Sequence, residues 1–346
     1  MPLPTRPPRV TTAITATAIT ATAISAAATA TALVLVLALT TAACASGNSD
    51  SAGPTSAAPS NTEATLPTTS LDPPPCSQTS TKVTVAYSKI AGFAPNTTSV
   101  DVYPAPRVCN TPVVMWVHGG GYQVGDKAQQ IDDKVRIFNL KGWMLVSVNY
   151  RLTTPGKPRT AQFPDHYNDV AGAVAWVHSN IASYGGDPTR IALLGHSAGA
   201  DIVSNVATNP AYLGQLGLDL SVLTCAGPLD TEGFNKTASG SGDFGDEKQQ
   251  WAKALGNNPS YLTDTSATGL IKPGIHIPPM IGVYRGTPKR QQIEIGFLEA
   301  LAAAGIGTAR IDARSLTHAE VNRRIGAIGE RVMTAPLVGF LTNCFR

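Results

Sequence analysis

One passage constrains this chain more than any other: Arg190-Ile-Ala-Leu-Leu-Gly-His-Ser-Ala-Gly199, an apolar strand that runs directly into Gly195-x-Ser197-x-Gly199 and a small-residue helix. Glycines on both sides of the serine permit a turn sharp enough to lift its hydroxyl above the sheet edge. The helix that follows aims its N-terminal amides at the same point. A GxSxG string by itself arises by chance in many chains. The strand before it and the helix after it distinguish a nucleophile turn from a plain strand-to-helix connection.

The surroundings agree with that strand-to-helix geometry. From Lys82 onward, short apolar runs alternate with helix-length amphipathic segments, the pattern of a mostly parallel sheet with helices on both faces. Eight strands are predicted near 82–88, 98–103, 112–118, 143–149, 190–196, 221–226, 279–285 and 308–313. Helices fit near 127–141, 164–183, 198–208, 289–304 and 319–343. No helix separates the first two strands, so the sheet should begin antiparallel. Residues 231–277, rich in Gly, Ser, Asp and Asn, are the least regular stretch and the natural place for a lid or substrate-binding insertion. With 346 residues, 43% of them hydrophobic, the chain has material for a sizeable core.

A second motif lies upstream, where the strand Pro112-Val-Val-Met-Trp-Val-His118 ends in Gly119-Gly120-Gly121-Tyr122. Successive glycines let a backbone approach a ligand with its N–H groups turned inward, as stabilisation of a tetrahedral oxyanion requires. Together with the later serine turn, the glycine run is far more specific than either motif alone.

On these residues the chain resembles the α/β-hydrolase superfamily, from about residue 82 to the end. It is most similar to the hormone-sensitive-lipase and feruloyl/acetyl-xylan-esterase type. The matching segments are His118 to Gly121, Asn149-Tyr150-Arg151-Leu152, Phe163-Pro164-Asp165, Gly186-Asp187-Pro188 and Gly195 to Gly199. The resemblance implies oxyanion donors from the backbone N–H groups of Gly120, Gly121 and Ala198, with His118 supporting that loop. It also implies a histidine base in the loop after the last strand. Of the six histidines only His318, in Ser315-Leu-Thr-His-Ala-Glu320, sits there. His166, His178 and His276 read as surface or packing residues. In the family the acid usually follows the seventh strand in a Gly-x-x-Asp turn, but here that turn reads Gly286-Thr-Pro-Lys289. Glu294 lies further on, in a predicted helix, and points away. Asp230, in Gly227-Pro-Leu-Asp230, is the better candidate, because some superfamily members take their acid from the end of the preceding strand. A loop-capping role for Asp230, and a Ser–His dyad without an acid, remain as alternatives.

Residues 1–43 read as a targeting segment rather than part of the fold. Arg6 and Arg9 form its positive end, and the apolar run Ala32–Ala43 ends in small residues directly before Cys44. This resembles a bacterial lipobox, in which the cysteine is diacylated, although Thr41 stands where that motif has Leu or Val. An ordinary secretory signal, or an uncleaved membrane helix, is the alternative. Residues 44–81, almost without large apolar side chains, should be a flexible tether, leaving 82–346 as the hydrolase domain. An exported chain is expected, on the outer face of the cell membrane or secreted. In such a compartment Cys76, Cys109, Cys225 and Cys344 should form two disulfides. Spacing does not select the pairing, although Cys76 and Cys109 make the easiest local bridge, and Cys225 could be a plain buried thiol.

A net charge of +3, with no basic run or stripe, leaves no footprint for nucleic acid. No CxxC or Cys/His cluster points to a metal, and no cofactor is implied. The expected partner is a small-molecule ester, cleaved through an acyl-enzyme on Ser197 with His318 as base. The rivals are a catalytically silent binding protein on the same fold, and an arylformamidase or peptidase of that fold.

Overall fold

The computed structural model describes residues 81–106, 109–154, 156, 160–238, 247–256 and 260–346. The chain divides into two units, Met1–Thr69 and Ser70–Arg346. The first, with the predicted leader, Cys44 and most of the predicted tether, lies outside the described residues.

The second unit is built on an eight-stranded sheet: β1 (Val83–Ala86), β2 (Ser99–Tyr103), β3 (Thr111–Val117), β4 (Met144–Val148), β5 (Gly186–His196), β6 (Cys225–Leu229), β7 (Met280–Tyr284) and β8 (Thr308–Asp312). Their spatial order is β1-β2-β4-β3-β5-β6-β7-β8. β1 and β2 pair antiparallel, as do β2 and β4, and every later pairing is parallel. This is the α/β-hydrolase fold. The helices among the described residues are α1 (Asp132–Leu140), α2 (Asp165–Asn180), α3 (Ala198–Thr208), α4 (Pro210–Gly214), α5 (Glu247–Leu255), α6 (Tyr261–Asp264), α7 (Ala267–Leu270), α8 (Pro288–Ala303), α9 (His318–Arg323) and α10 (Thr334–Cys344). No helix of the described residues is long and apolar enough to cross a membrane.

Strands covered on both faces must be apolar at successive positions, and β3 shows why. Val113, Met115 and Val117 pack with Val170 and Val174 of α2, Ile202 and Val206 of α3 and Phe297 of α8. Val114 and Trp116, pointing the other way, join Phe138 of α1, Val321 of α9 and Leu337 and Leu341 of α10. Burial on both sides leaves β3 rigid up to Val117, the residue before the glycine run.

Two predicted elements need correction. The sixth strand was expected near 221–226 but spans Cys225–Leu229, because Leu220–Val222 forms a 3-10 turn capped by Asp219 and Pro228 continues the strand. This shift puts Asp230 at the very end of the strand. The single helix expected over 319–343 is two helices, α9 and α10. Gly326, at φ +84°, breaks it where the chain passes so close to α1 that a Cβ would meet the Asp133 carbonyl oxygen at 2.2 Å.

The cysteines pair as Cys225–Cys344, which ties the start of β6 to the end of α10. Cys225 is therefore not a plain buried thiol. Cys109 is disulfide-bonded too, and Cys76 lies outside the described residues.

Candidate active site

Ser197 stands between β5 and α3 with φ +58° and ψ −121°, a conformation that a non-glycine residue adopts only under strong local constraint. Two close approaches impose it. A Cβ on Gly195 would meet the Gly199 carbonyl oxygen at 2.5 Å, and one on Gly199 would meet that of Val117 at 2.3 Å. The motif glycines thus let β5, α3 and β3 converge on the serine. The Ser197 amide is anchored to the Leu229 carbonyl at 3.2 Å.

The glycine run leaves β3 beside this turn. Burial lowers the pKa of His118 and keeps its ring neutral, and its Nδ1–H donates to the Gly119 carbonyl at 2.7 Å. That ring stacks on Tyr150 at 4.5 Å, and the Tyr150 hydroxyl donates to the His118 carbonyl at 3.0 Å. Gly120 closes a turn by accepting from the amides of Gln123 and Val124, both at 3.1 Å. Gly120, Gly121, Ser197, Ala198 and His318 all border one cavity of about 430 Å³.

His318 is the first residue of α9, whose start is fixed by a capping box between Thr317 and Glu320. Its Nδ1–H donates to Asp230 Oδ2 at 2.6 Å, which leaves Nε2 as the acceptor. His196, next to the serine, is buried. Burial and the neighbouring His318 lower its pKa to about 3, so the imidazole is neutral. Its Nε2–H donates to the His318 carbonyl at 2.9 Å, and the two rings lie 4.4 Å apart.

Asp230 is the carboxylate that meets the histidine, from a left-handed position (φ +66°) just past β6. Two arginines that sequence reasoning did not foresee flank it. Oδ1 accepts from Arg290 Nε at 3.0 Å and from its terminal nitrogen at 2.7 Å, while Oδ2 also accepts from Arg285 Nε. Arg290 extends to Glu232 at 2.8 Å. Burial alone would raise the Asp230 pKa. The charge of Arg290, the hydrogen bond from His318 and the charge of Arg285 outweigh it and hold the carboxyl well below the usual carboxylate range. The signal was present in the sequence: Arg285 and Arg290 bracket the turn that lacks the family's acid. The turn that elsewhere carries the acid here grips an acid from the neighbouring strand.

The remaining predicted residues have other roles. Glu294 is buried against Gly282 of β7, and burial pushes its carboxyl well above the ordinary range. His166 is buried, lowered to about 3 by burial, and bonded to Thr153 Oγ1 at 3.0 Å. His178 faces the Pro188 carbonyl at 3.2 Å, and His276 is exposed. His196, Asp230 and His318 bring three metal-capable atoms within 4.8 Å of one another. Both Asp230 oxygens are taken by hydrogen bonds, and the two guanidiniums on that carboxylate repel a cation.

Comparisons with known proteins agree with this geometry. Residues 56–216 match the model of the carboxylesterase family. The chain is 29% identical over 146 residues to the para-nitrobenzyl esterase of Bacillus subtilis (strain 168), a match covering 40% of this chain and 30% of that protein. It is 39% identical over 114 residues to the probable carboxylic ester hydrolase LipM of Mycobacterium tuberculosis, covering 32% of this chain and 25% of LipM. The matched segment thus spans less than a third of either relative. Among solved structures, esterase B from Lactobacillus rhamnosus superposes with a TM-score of 0.61 at 17% identity, covering 76% of this chain and 84% of that one. At that identity the likeness speaks to the fold alone.

Proposed function

We propose that this chain, which is an α/β-hydrolase whose residues 56–216 match the carboxylesterase family, is a carboxylic ester hydrolase. The observation that carries the reading is the convergence of Ser197, the His318–Asp230 pair and the glycine run on one cavity. Ser197 Oγ attacks the ester carbonyl carbon while His318 Nε2 takes its proton. The carbonyl oxygen, now negative, is held by the amides of Gly120, Gly121 and Ala198. As the tetrahedral species collapses, the C–O bond to the alcohol breaks and His318 returns the proton to the leaving oxygen. Water then repeats the sequence on the acyl-enzyme. Asp230 holds the imidazole in the Nδ1–H tautomer and offsets its charge once protonated, and Arg285 and Arg290 keep that carboxylate ionised.

We further propose that residues 1–43 direct export and that an acylated Cys44 tethers the enzyme to a membrane surface. Support comes from the apolar run ending in small residues before that cysteine.

A fluorophosphonate probe tests the enzymatic reading in parallel with nitrophenyl esters of increasing chain length. A covalent adduct on Ser197, lost in Ser197→Ala together with ester turnover, is the expected outcome. A folded chain that neither labels nor turns over any ester overturns it.

A further inference from the structure

Behind the serine turn lies a buried polar cluster that the reaction does not use. Its centre is Asp201, wholly buried in the first turn of α3, whose amide donates to the Ser197 carbonyl at 3.0 Å. Asp201 Oδ2 accepts from the hydroxyl of Tyr122 at 2.5 Å and from that of Tyr167, on α2, at 2.7 Å. Asp201 Oδ1 receives the ammonium of Lys236 at 2.5 Å in an ion pair with both side chains almost wholly buried. Lys236 also donates to the carbonyls of Thr265 at 2.7 Å and Gly233 at 3.2 Å.

The placement of these partners gives the cluster its meaning. Tyr122 directly follows the glycine run, is buried despite a left-handed backbone (φ +64°), and borders the cavity. Its carbonyl accepts from the Thr153 amide at 2.8 Å, so the residue is held at both backbone and hydroxyl. Lys236 belongs to the segment that leaves β6 six residues beyond Asp230. One carboxylate therefore joins the glycine loop, the nucleophile helix and the segment that carries the acid. A buried ion pair is weak evidence for stability, since well-packed apolar residues would serve as well, but it defines geometry sharply. Loop amides aimed at an oxyanion need such definition, because a donor displaced by a fraction of an ångström loses most of its effect on the developing charge.

Resting on the esterase reading above, we infer that Tyr122, Asp201 and Lys236 are positioning residues that set the glycine-loop amides for the tetrahedral intermediate. Tyr122 is the lever, since its hydroxyl ties the residue after the glycine run to the carboxylate of the helix that follows the nucleophile.

The test is Tyr122→Phe in the full chain, which removes one hydroxyl and leaves the ring to fill its site. With nitrophenyl acetate, kcat should fall at least about tenfold, short of the 10²–10³ lost when an oxyanion donor is removed outright, and KM should change less than about threefold. Affinity for a boronic acid, which forms a tetrahedral adduct on the serine, should weaken in step with kcat, and inhibition by acetate should not. Tyr167→Phe takes a hydroxyl from the same carboxylate oxygen but from α2. It should lower Tm comparably but kcat less than Tyr122→Phe does, because α2 carries none of the loop amides. Adding Asp201→Asn to Tyr122→Phe should cost no more than the larger single change, because both break one link. Should Tyr122→Phe fail to fold, Asp201→Asn with Lys236→Gln removes the ion pair without leaving a lone charge, and the same fall in kcat and boronate affinity is expected. Unchanged kcat and boronate affinity in a folded variant overturn the inference while the esterase reading stands. A wild-type chain without turnover or Ser197 labelling overturns both.

Discussion

At the residue scale the site depends on charges that only the fold brings together. Ser197→Ala and His318→Ala should each remove nearly all turnover, on the order of 10⁴–10⁶ in kcat, and the double variant should be no worse than the more damaging single. Near-normal activity in either, measured with nitrophenyl esters, would displace the assignment. Asp230→Asn should fail in two ways. The amide no longer enforces the Nδ1–H tautomer, a loss of about 10⁴ in kcat in the best-studied triad. It also leaves Arg285 and Arg290 buried without their shared carboxylate, which should cost about 3–5 kcal/mol in urea unfolding. The acid limb of stability should change with it. The native Asp230 pKa lies below its unfolded value of about 4, so the unfolded chain binds more protons there and stability falls as pH falls. Asp230 supplies its stabilisation in full above that unfolded value and loses it progressively in acid. In thermal melts from pH 3 to 6, Asp230→Asn should flatten that slope, and an unchanged slope would place the acid sensitivity elsewhere.

Among the elements, β6 matters most, because both ends carry something. Its start is bonded through Cys225 to Cys344 and its end delivers Asp230, so one strand links the C-terminal helix to the His318 imidazole. The bridge closes a loop of 119 residues, and its loss through Cys344→Ser should reduce stability by about 2–5 kcal/mol. A reducing agent should lower the urea midpoint of the wild type much more than that of the variant, and equal shifts in both would deny the bridge a part. Element boundaries were legible where a local signal marked them. α3 is predicted and observed over the same residues because the serine turn starts it, and α8 begins where Thr287 caps it with Pro288 in its first turn. The long C-terminal helix was misread because its apolar periodicity carries across Gly326, and only the passage against α1 demands the left-handed break there.

For the whole molecule, the apolar run that ends at Cys44 bears on where the protein resides. If Cys44 is acylated, Cys44→Ser should release the protein from the membrane fraction or block its processing, read by fractionation and the mass of the mature N-terminus. A membrane-bound, fully processed Cys44→Ser product would remove the anchor. The sequence by itself determined the fold class and singled out Ser197, the glycine run and His318 as candidates, because each is written in a short contiguous pattern or in chain order. What it left open was whether Asp230 meets His318, how Cys225 pairs, and what surrounds both. Those were decided when β6 and β7 came to lie side by side, carrying Asp230 to the two arginines that bracket an acid-less turn. Lys236 and Tyr122 likewise meet Asp201 only in the folded chain, from positions 35 and 79 residues away. Local patterns set what a segment can become, but a buried charge finds its partner through packing, and sequence distance holds no record of that.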